Sequence, residues 1–231
     1  LDLDNTLWGG IAAEDGIGGV SLDITGPGKS FYDFQKEIMN LYHRGILLAI
    51  NSKNNPQDAL EIIENHPHML LRKSFFSCIR INWQDKVTNL REIASELNIG
   101  LDSLVFADDS PVEREYVKAM LPQVAVIDLP EDPAAYCEKL RSVPFFETLG
   151  LTAEDARRSE MIAQNRERSE ARKLYGSIEE YLKSLDMNVT VLAADEFNIP
   201  RISQLSLKTN QFNMTTKRYQ TADIKKMLES G

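Results

Sequence analysis

The 231-residue chain is poor in the residues that build soft metal sites and disulfide frameworks: it has two cysteines, Cys78 and Cys137, and three histidines. The two cysteines lack the paired spacing of a zinc site, and free buried thiols suit a reducing compartment. His66 and His68 flank Pro67 with no further Cys or His nearby, which reads as a loop. Long apolar runs are also missing. None approaches the roughly 20 residues that cross a bilayer, and no signal peptide is visible, so a cytoplasmic protein is expected. An excess of basic charge is absent as well. With a net charge of −9 and a pI near 5.0, no basic face is on offer to a nucleic acid. A small phosphorylated ligand stays open, because local cations can override the global field. There is no internal repeat or low-complexity tract.

What remains is an ordinary globular composition, 42% hydrophobic and 26% charged, long enough for one full core and a smaller second unit. Leu1-Asp2-Leu3-Asp4 reads as the end of a strand whose beginning is expected to precede Leu1, since strands usually run about 5–6 residues. From Phe31 to about Arg141, helical and strand patterns alternate. The spacing predicts a helix over Phe31–Arg44, a strand from Ile46 into Asn51-Ser52, and a helix from Pro56 to about Asn65. A short strand follows at Ile79–Ile81, then a helix over Val87–Asn98 and a strand at Leu104–Ala107. A helix over Pro111–Met120 and a strand at Val124–Leu129 complete the series. This order predicts an α/β fold with a doubly wound parallel sheet.

The glycine-rich stretch between Trp8 and Ser30 has no helical period and predicts a hairpin or small flap over the sheet. Within it Gly28-Lys29-Ser30 is not a Walker motif, because Asp23 stands where the leading glycine is required. After Pro144 the character changes. Thr152–Leu174 is charged and helical in pattern, and reads first as a solvated helix. Ser177 and Glu180 form a capping box for a short helix through Leu185. Asn188–Ala193 alternates like a strand, and a helix follows Asp195. The expected domains are therefore 1–148 and a smaller α/β region over 149–231.

Four features fall in loops that follow predicted strands: Asp2 to Thr6, Ser52, Lys86 and Asp108-Asp109. In an open parallel sheet such loops gather at one edge, where ligands bind. Taken singly, each has a plain reading: a loop, a turn serine, a surface lysine, a helix cap. Taken together they crowd four acids at one rim, and two acids at i and i+2 point the same way. Such carboxylates repel one another unless a cation sits among them. Oxygen-only ligands beside an expected phosphate favour Mg2+ over zinc. Phosphoryl transfer supplies roles for such a set. One carboxylate attacks phosphorus and a second moves a proton to the leaving oxygen, while lysine and cation neutralise the transferring group.

The segment Asp2-Leu3-Asp4-Asn5-Thr6 resembles the first motif of the haloacid dehalogenase (HAD) superfamily; Ser52, Lys86 and Asp108-Asp109 resemble its second, third and fourth. The resemblance implies Asp2 as nucleophile and Asp4 as acid/base. It also implies magnesium held by the Asp2 carboxylate, the Asp4 carbonyl and Asp109, with Asp108 close by. Thr6, Ser52, Lys53, Asn54 and Lys86 are then expected around the substrate. The stretches Leu7-Trp8-Gly9-Gly10, Ser52-Lys53-Asn54, Ile81 to Lys86, Asp108 to Arg114 and Lys208 to Asn213 resemble the FkbH-like branch, subfamily IIIC. In that branch an acyltransferase-like domain follows, which here would begin before Gly231.

The branch implies an alternative activity. A glyceryl unit would be taken from 1,3-bisphosphoglycerate and loaded on an acyl carrier protein. Members proposed to hold a glyceryl thioester often have Cys before the second-motif serine, where this chain has Asn51. A phosphatase acting on a phosphorylated small molecule is the main expectation. The short gaps between motifs leave no room for a large cap, which keeps a phosphoprotein phosphatase in view; a non-catalytic scaffold is the remaining class.

Overall fold

A computed structural model of the chain describes residues 1–147, 177–184, 188, 190–208 and 217–230. The chain divides into two compact units, Leu1–Leu174 and Tyr175–Gly231. The helix expected over Thr152–Leu174, the boundary near 150 and most of the Lys208–Asn213 segment lie outside the described residues.

The first unit is mixed α/β with short parallel strands. Strand β1 (Leu48–Ser52) pairs in parallel with β2 (Phe76–Ile81), and β3 (Val105–Asp108) pairs in parallel with β4 (Ala125–Asp128). The N-terminal segment hydrogen-bonds to both pairs. The Leu1 amino group donates to Ala49 O at 2.9 Å and Asn51 N–H donates to Leu1 O at 2.8 Å, while Asp2 N–H donates to Ala107 O at 3.0 Å. The N-terminal segment carrying Asp2 and the strand ends carrying Ser52 and Asp108 are thereby drawn together. The second strand is longer than its apolar pattern suggested. It starts three residues earlier, at Phe76, and Arg80 within it pairs with Glu92 at 3.0 Å and Glu96 at 2.6 Å.

The helices follow their sequence signals. In α2 (Lys29–His43), Phe31, Phe34, Gln35, Ile38 and Leu41 recur at three- and four-residue intervals and are all buried. Helix α3 (Pro56–Asn65) opens on proline, as does α5 (Pro111–Met120), where Ser110 Oγ accepts from Glu113 N–H at 3.4 Å. Helix α4 (Lys86–Leu97) is capped by Asp85, which accepts from Thr88 N–H at 2.9 Å. It ends on Asn98 in the left-handed region at φ 52°, a conformation asparagine tolerates. A last helix, α6 (Tyr136–Ser142), packs against α2.

The glycine-rich stretch, expected to form a hairpin or small flap, holds a helix. Gly9 and Ser21 do form an antiparallel bridge, with N···O distances of 3.0 and 2.7 Å. Between them runs a short helix, α1 (Ala12–Gly19), kinked at Gly16 where φ is 61°. Asp15 Oδ2 accepts from Ile11 N–H at 2.7 Å and secures the first turn. Gly16, Gly18 and Gly19 erase the side-chain period by which a helix is read from sequence.

Leu3, Leu7, Trp8, Phe34 and Ile50 lie at the centre of the core with no exposed surface. Among them sits fully buried Gln35, whose Nε2 donates to Leu7 O at 2.8 Å and whose Oε1 accepts from Leu70 and Leu71 N–H at 2.9 and 3.2 Å. Each backbone group it satisfies would otherwise cost about 1–3 kcal/mol to bury. Gln35 thus ties the turn carrying the N-terminal acids to the loop entering β2.

In the second unit the described elements are helical: Ile178–Ser184, Ile199–Lys208 and Thr221–Ser230. Ser177 Oγ accepts from Glu180 N–H at 3.2 Å, the forward half of the expected capping box. The strand expected over 188–193 is not formed at its described residues. Val191 and Leu192 are 90% and 75% exposed. The helices Ile199–Lys208 and Thr221–Ser230 bury Ile199, Ser203 and Ile224, and Ser203 Oγ donates to Tyr219 O at 2.9 Å. No described helix is long and apolar enough to cross a membrane.

Candidate active site

Asp2, Lys86 and Asp108 form a buried charged cluster where the N-terminal segment, the start of α4 and the end of β3 meet. Lys86 Nζ lies 3.0 Å from Asp2 Oδ1 and hydrogen-bonds to Asp108 Oδ2. Lys86 is only 3% exposed and Asp108 is fully buried. The other Asp108 oxygen accepts from Ser110 N–H at 2.9 Å. Asp2 Oδ1, although beside the ammonium, accepts no hydrogen bond in good geometry. Ligand oxygens of Asp2, Asp108 and Asp109 all lie within 4.8 Å of one another.

The electrostatics follow from this crowding. Burial pushes the Asp109 carboxyl up to about 6, with the Asp2 and Asp108 charges adding to the rise. Asp108 is raised for the same first reason, burial, and then by Asp2, with Lys86 opposing. Burial pulls the Lys86 ammonium down, but the Asp2 and Asp108 carboxylates outweigh it and hold its pKa above the ordinary value. One cation is therefore shared by a rim of acids with charge to spare.

Asp4 faces a different set of partners. Its Oδ1 accepts from Trp8 Nε1 at 2.9 Å and from Ala12 N–H at 3.0 Å, and its Oδ2 accepts from Asn54 Nδ2 at 2.9 Å. Burial raises its pKa against those hydrogen bonds. Thr6, fully buried, is turned towards the fourth motif: its Oγ1 accepts from Asp109 N–H at 3.1 Å and lies 3.5 Å from Asp109 Oδ1. Ser52 is buried at the end of β1. The Lys53 amine pairs with Glu113 on α5. The structure thus brings Asp2, Lys86, Asp108 and Asp109 into one cluster, and joins Asp4 to Asn54 beside it.

Several residues that hold this arrangement carried no signal as site residues. Arg114 Nη1 donates to the carbonyls of Asp108 and Asp109 at 2.7 and 2.6 Å, fixing the acidic turn from the first turns of α5. Asn51 Nδ2 donates to Lys86 O at 2.9 Å, and Asn89 Nδ2 donates to Asn51 Oδ1 at 3.0 Å and Asn82 Oδ1 at 3.0 Å. This buried amide chain locks the start of α4 to β1. Tyr136 Oη donates to Asn5 O at 3.0 Å, and burial followed by the Asp109 charge pushes its pKa up to about 12. Only Arg114 had a readable cue, its position four residues after the helix cap Ser110. A cleft of about 480 Å³ opens beside Asp109, lined among others by Asn5, Phe31, Arg114, Glu131 and Tyr136.

No protein family matches the chain, and no curated protein matches it. A solved structure does: the N-terminal part of the protein BF1531 from Bacteroides fragilis, containing a phosphatase domain and crystallised in complex with Mg. It is 43% identical, with a TM-score of 0.63; the match covers 64% of this chain and 40% of that one. The match therefore spans well under half of the solved chain's length.

Proposed function

We propose that the chain carries a magnesium-dependent phosphatase of the HAD type that hydrolyses a phosphorylated small molecule through an aspartyl-phosphate on Asp2. The observation that carries this reading is the buried cluster in which Asp2, Asp108 and Asp109 converge within 4.8 Å around a single lysine. A phosphatase domain crystallised with Mg at 43% identity supports it. The residues fit that ion: the donors are all oxygen, the acids outnumber the local cation, and Asp2 Oδ1 is buried without a hydrogen bond. Asp2 and Asp109 carboxylates and the Asp4 carbonyl would hold it. Asp108, already accepting from Lys86 and Ser110, is assigned chiefly to anchoring the lysine. Bound there, magnesium supplies neutralisation of charge on the transferring group.

The chain's own residues account for the remaining work. The Asp2 carboxylate attacks phosphorus, and Lys86, held between Asp2 and Asp108, neutralises phosphoryl oxygens. Ser52 hydroxyl and nearby backbone N–H groups orient those oxygens. Asp4 gives a proton to the departing oxygen, then takes one from the water that cleaves the aspartyl-phosphate. Thr6 keeps Asp109 in place. The Asp109 cleft has the size of a small-molecule site. We further infer that the two strand pairs and the N-terminal segment form one sheet in the order β2-β1-N-terminal segment-β3-β4, as a doubly wound fold requires, with the catalytic unit ending near residue 148. Glyceryl transfer to an acyl carrier protein draws no support from Asn51, whose amide is engaged by Lys86 O and Asn89.

Chelation tests this function. Treatment with EDTA abolishes turnover of a nitrophenyl phosphate and added Mg2+ restores it. The raised Asp109 pKa sets a pH dependence: the carboxylate must lose its proton to bind the ion, so affinity holds above about 6 and weakens below it, by up to about tenfold per pH unit. Isothermal titration with Mg2+ at several pH values measures it. Turnover untouched by EDTA contradicts the reading.

A further inference from the structure

Three donors from separate parts of the first unit converge on Asp4. Trp8 Nε1 and the Ala12 N–H at the start of α1 occupy Oδ1, and Asn54 Nδ2, from the loop between β1 and α3, occupies Oδ2. The sequence placed Asn54 among the substrate contacts. In the fold the residue is 1% exposed, and its Oδ1 accepts from Asn55 N–H at 2.9 Å. Trp8 has no exposed surface either. Both side chains spend their donors on the same carboxylate.

We propose that Asn54 and Trp8 are positioning residues for Asp4, fixing its carboxylate in the orientation from which a proton reaches the leaving oxygen. The proposal rests on the reading of Asp4 as acid/base given above. An aspartate side chain turns about two torsions, and donors on only one oxygen would leave the other free to swing. Donors on both, from elements packed on different sides, hold the plane of the group. Misplacement of a reacting group by about 1 Å can cost about 100-fold in rate.

The chemistry offers a readout that a merely structural role would not move. In the first step the bond from Asp2 oxygen to phosphorus forms, the bond from phosphorus to the leaving oxygen breaks, and the Asp4 proton ends on that oxygen. In the second, water oxygen bonds to phosphorus, the Asp2–phosphorus bond breaks, and the water's proton passes to Asp4. An alkoxide leaves poorly without that proton. A nitrophenolate leaves readily without it. Misplacing Asp4 therefore slows the first step for alkyl esters far more than for nitrophenyl esters, and slows the second step for both.

The test compares Asn54→Ala and Trp8→Phe with the unaltered protein in Mg2+, on an alkyl phosphate and a nitrophenyl phosphate. Both variants lower kcat/KM by about 100-fold for the alkyl ester and by only about threefold for the nitrophenyl ester. Nitrophenol release then shows a burst followed by slow turnover. Trp8→Phe keeps an aromatic ring in the core and loses the N–H together with the rest of the indole, so it carries the test if Asn54→Ala unfolds. Equal losses on the two esters overturn the proposal, as does a raised KM at unchanged kcat, the mark of a lost substrate contact. Failure of the underlying phosphatase reading looks different: the unaltered protein then turns over neither ester.

Discussion

On the proposed mechanism, Asn in place of Asp2 removes phosphate-ester turnover by roughly 10⁴-fold or more, because the attacking oxygen would become an amide with no comparable nucleophilicity. The fold survives the change. Asp2 holds β3 through its backbone N–H, which the substitution leaves alone, and Lys86 keeps its bond to Asp108. Removing one carboxylate also relieves the acids around it: the Asp2 charge helps to raise both Asp108 and Asp109. The metal-free variant is therefore expected to unfold at a temperature no lower than the parent. Steady-state kinetics and thermal unfolding on the same samples separate a lost nucleophile from a lost structure. Turnover within tenfold of the parent would remove Asp2 from the mechanism.

Lys86→Met has the largest expected effect on stability. The methionine fills much of the same space but leaves Asp108, with no exposed surface, facing Asp2 without a cation. Breaking such a buried pair costs about 3–5 kcal/mol. The pH dependence identifies the cause. Burial, then Asp2, already raise the Asp108 pKa in the folded state, and the loss of Lys86, which opposes them, raises it further. A folded-state pKa above the unfolded one means that the native protein binds the proton more tightly, so stability returns as pH falls. Urea denaturation at pH 8 and pH 5 is expected to show the larger deficit at pH 8. Activity falls as well, by about 10³-fold, through loss of charge stabilisation on the phosphoryl group. A deficit that is equal at both pH values would assign the lysine to packing alone.

Where a residue's role is local, the sequence was a sufficient guide. Helices α3 and α5 run from proline to their expected last residues, Asn65 and Met120, because proline at the first turn is a signal written into neighbouring positions. The strands were legible as short apolar runs, and β2 was underestimated at its start, where Ser77 interrupts the apolar run yet is buried. Helix α1 was missed because its glycines leave no face to read, and the strand expected at 188–193 is not formed at its described residues, where Val191 and Leu192 stay exposed. Alternation sets up a strand, but pairing completes it.

The candidate site divides along the same line. That acids, a serine and a lysine sit at strand ends was readable from motif order. How they are held was not. Tyr136 reaches Asn5 across 131 positions of sequence, Asn89 reaches Asn51 across 38, and Asn54 reaches Asp4 across 50. Contacts of this range depend on how helices pack over the strands, and no periodicity encodes them. Asn51 shows the consequence most plainly. From sequence it was a departure from a family pattern; in the fold it is a buried amide joining β1 to the lysine-bearing end of α4.

Trapping the intermediate tests the central claim most directly. The protein is mixed with Mg2+ and a nitrophenyl phosphate, quenched in acid within the first turnover, digested, and mapped by mass spectrometry. The account predicts a phosphoryl group on the peptide bearing Asp2, located at Asp2 and absent from the Asp2→Asn variant. Rapid turnover with the phosphoryl group on another residue, or with none trapped on any peptide, would contradict it.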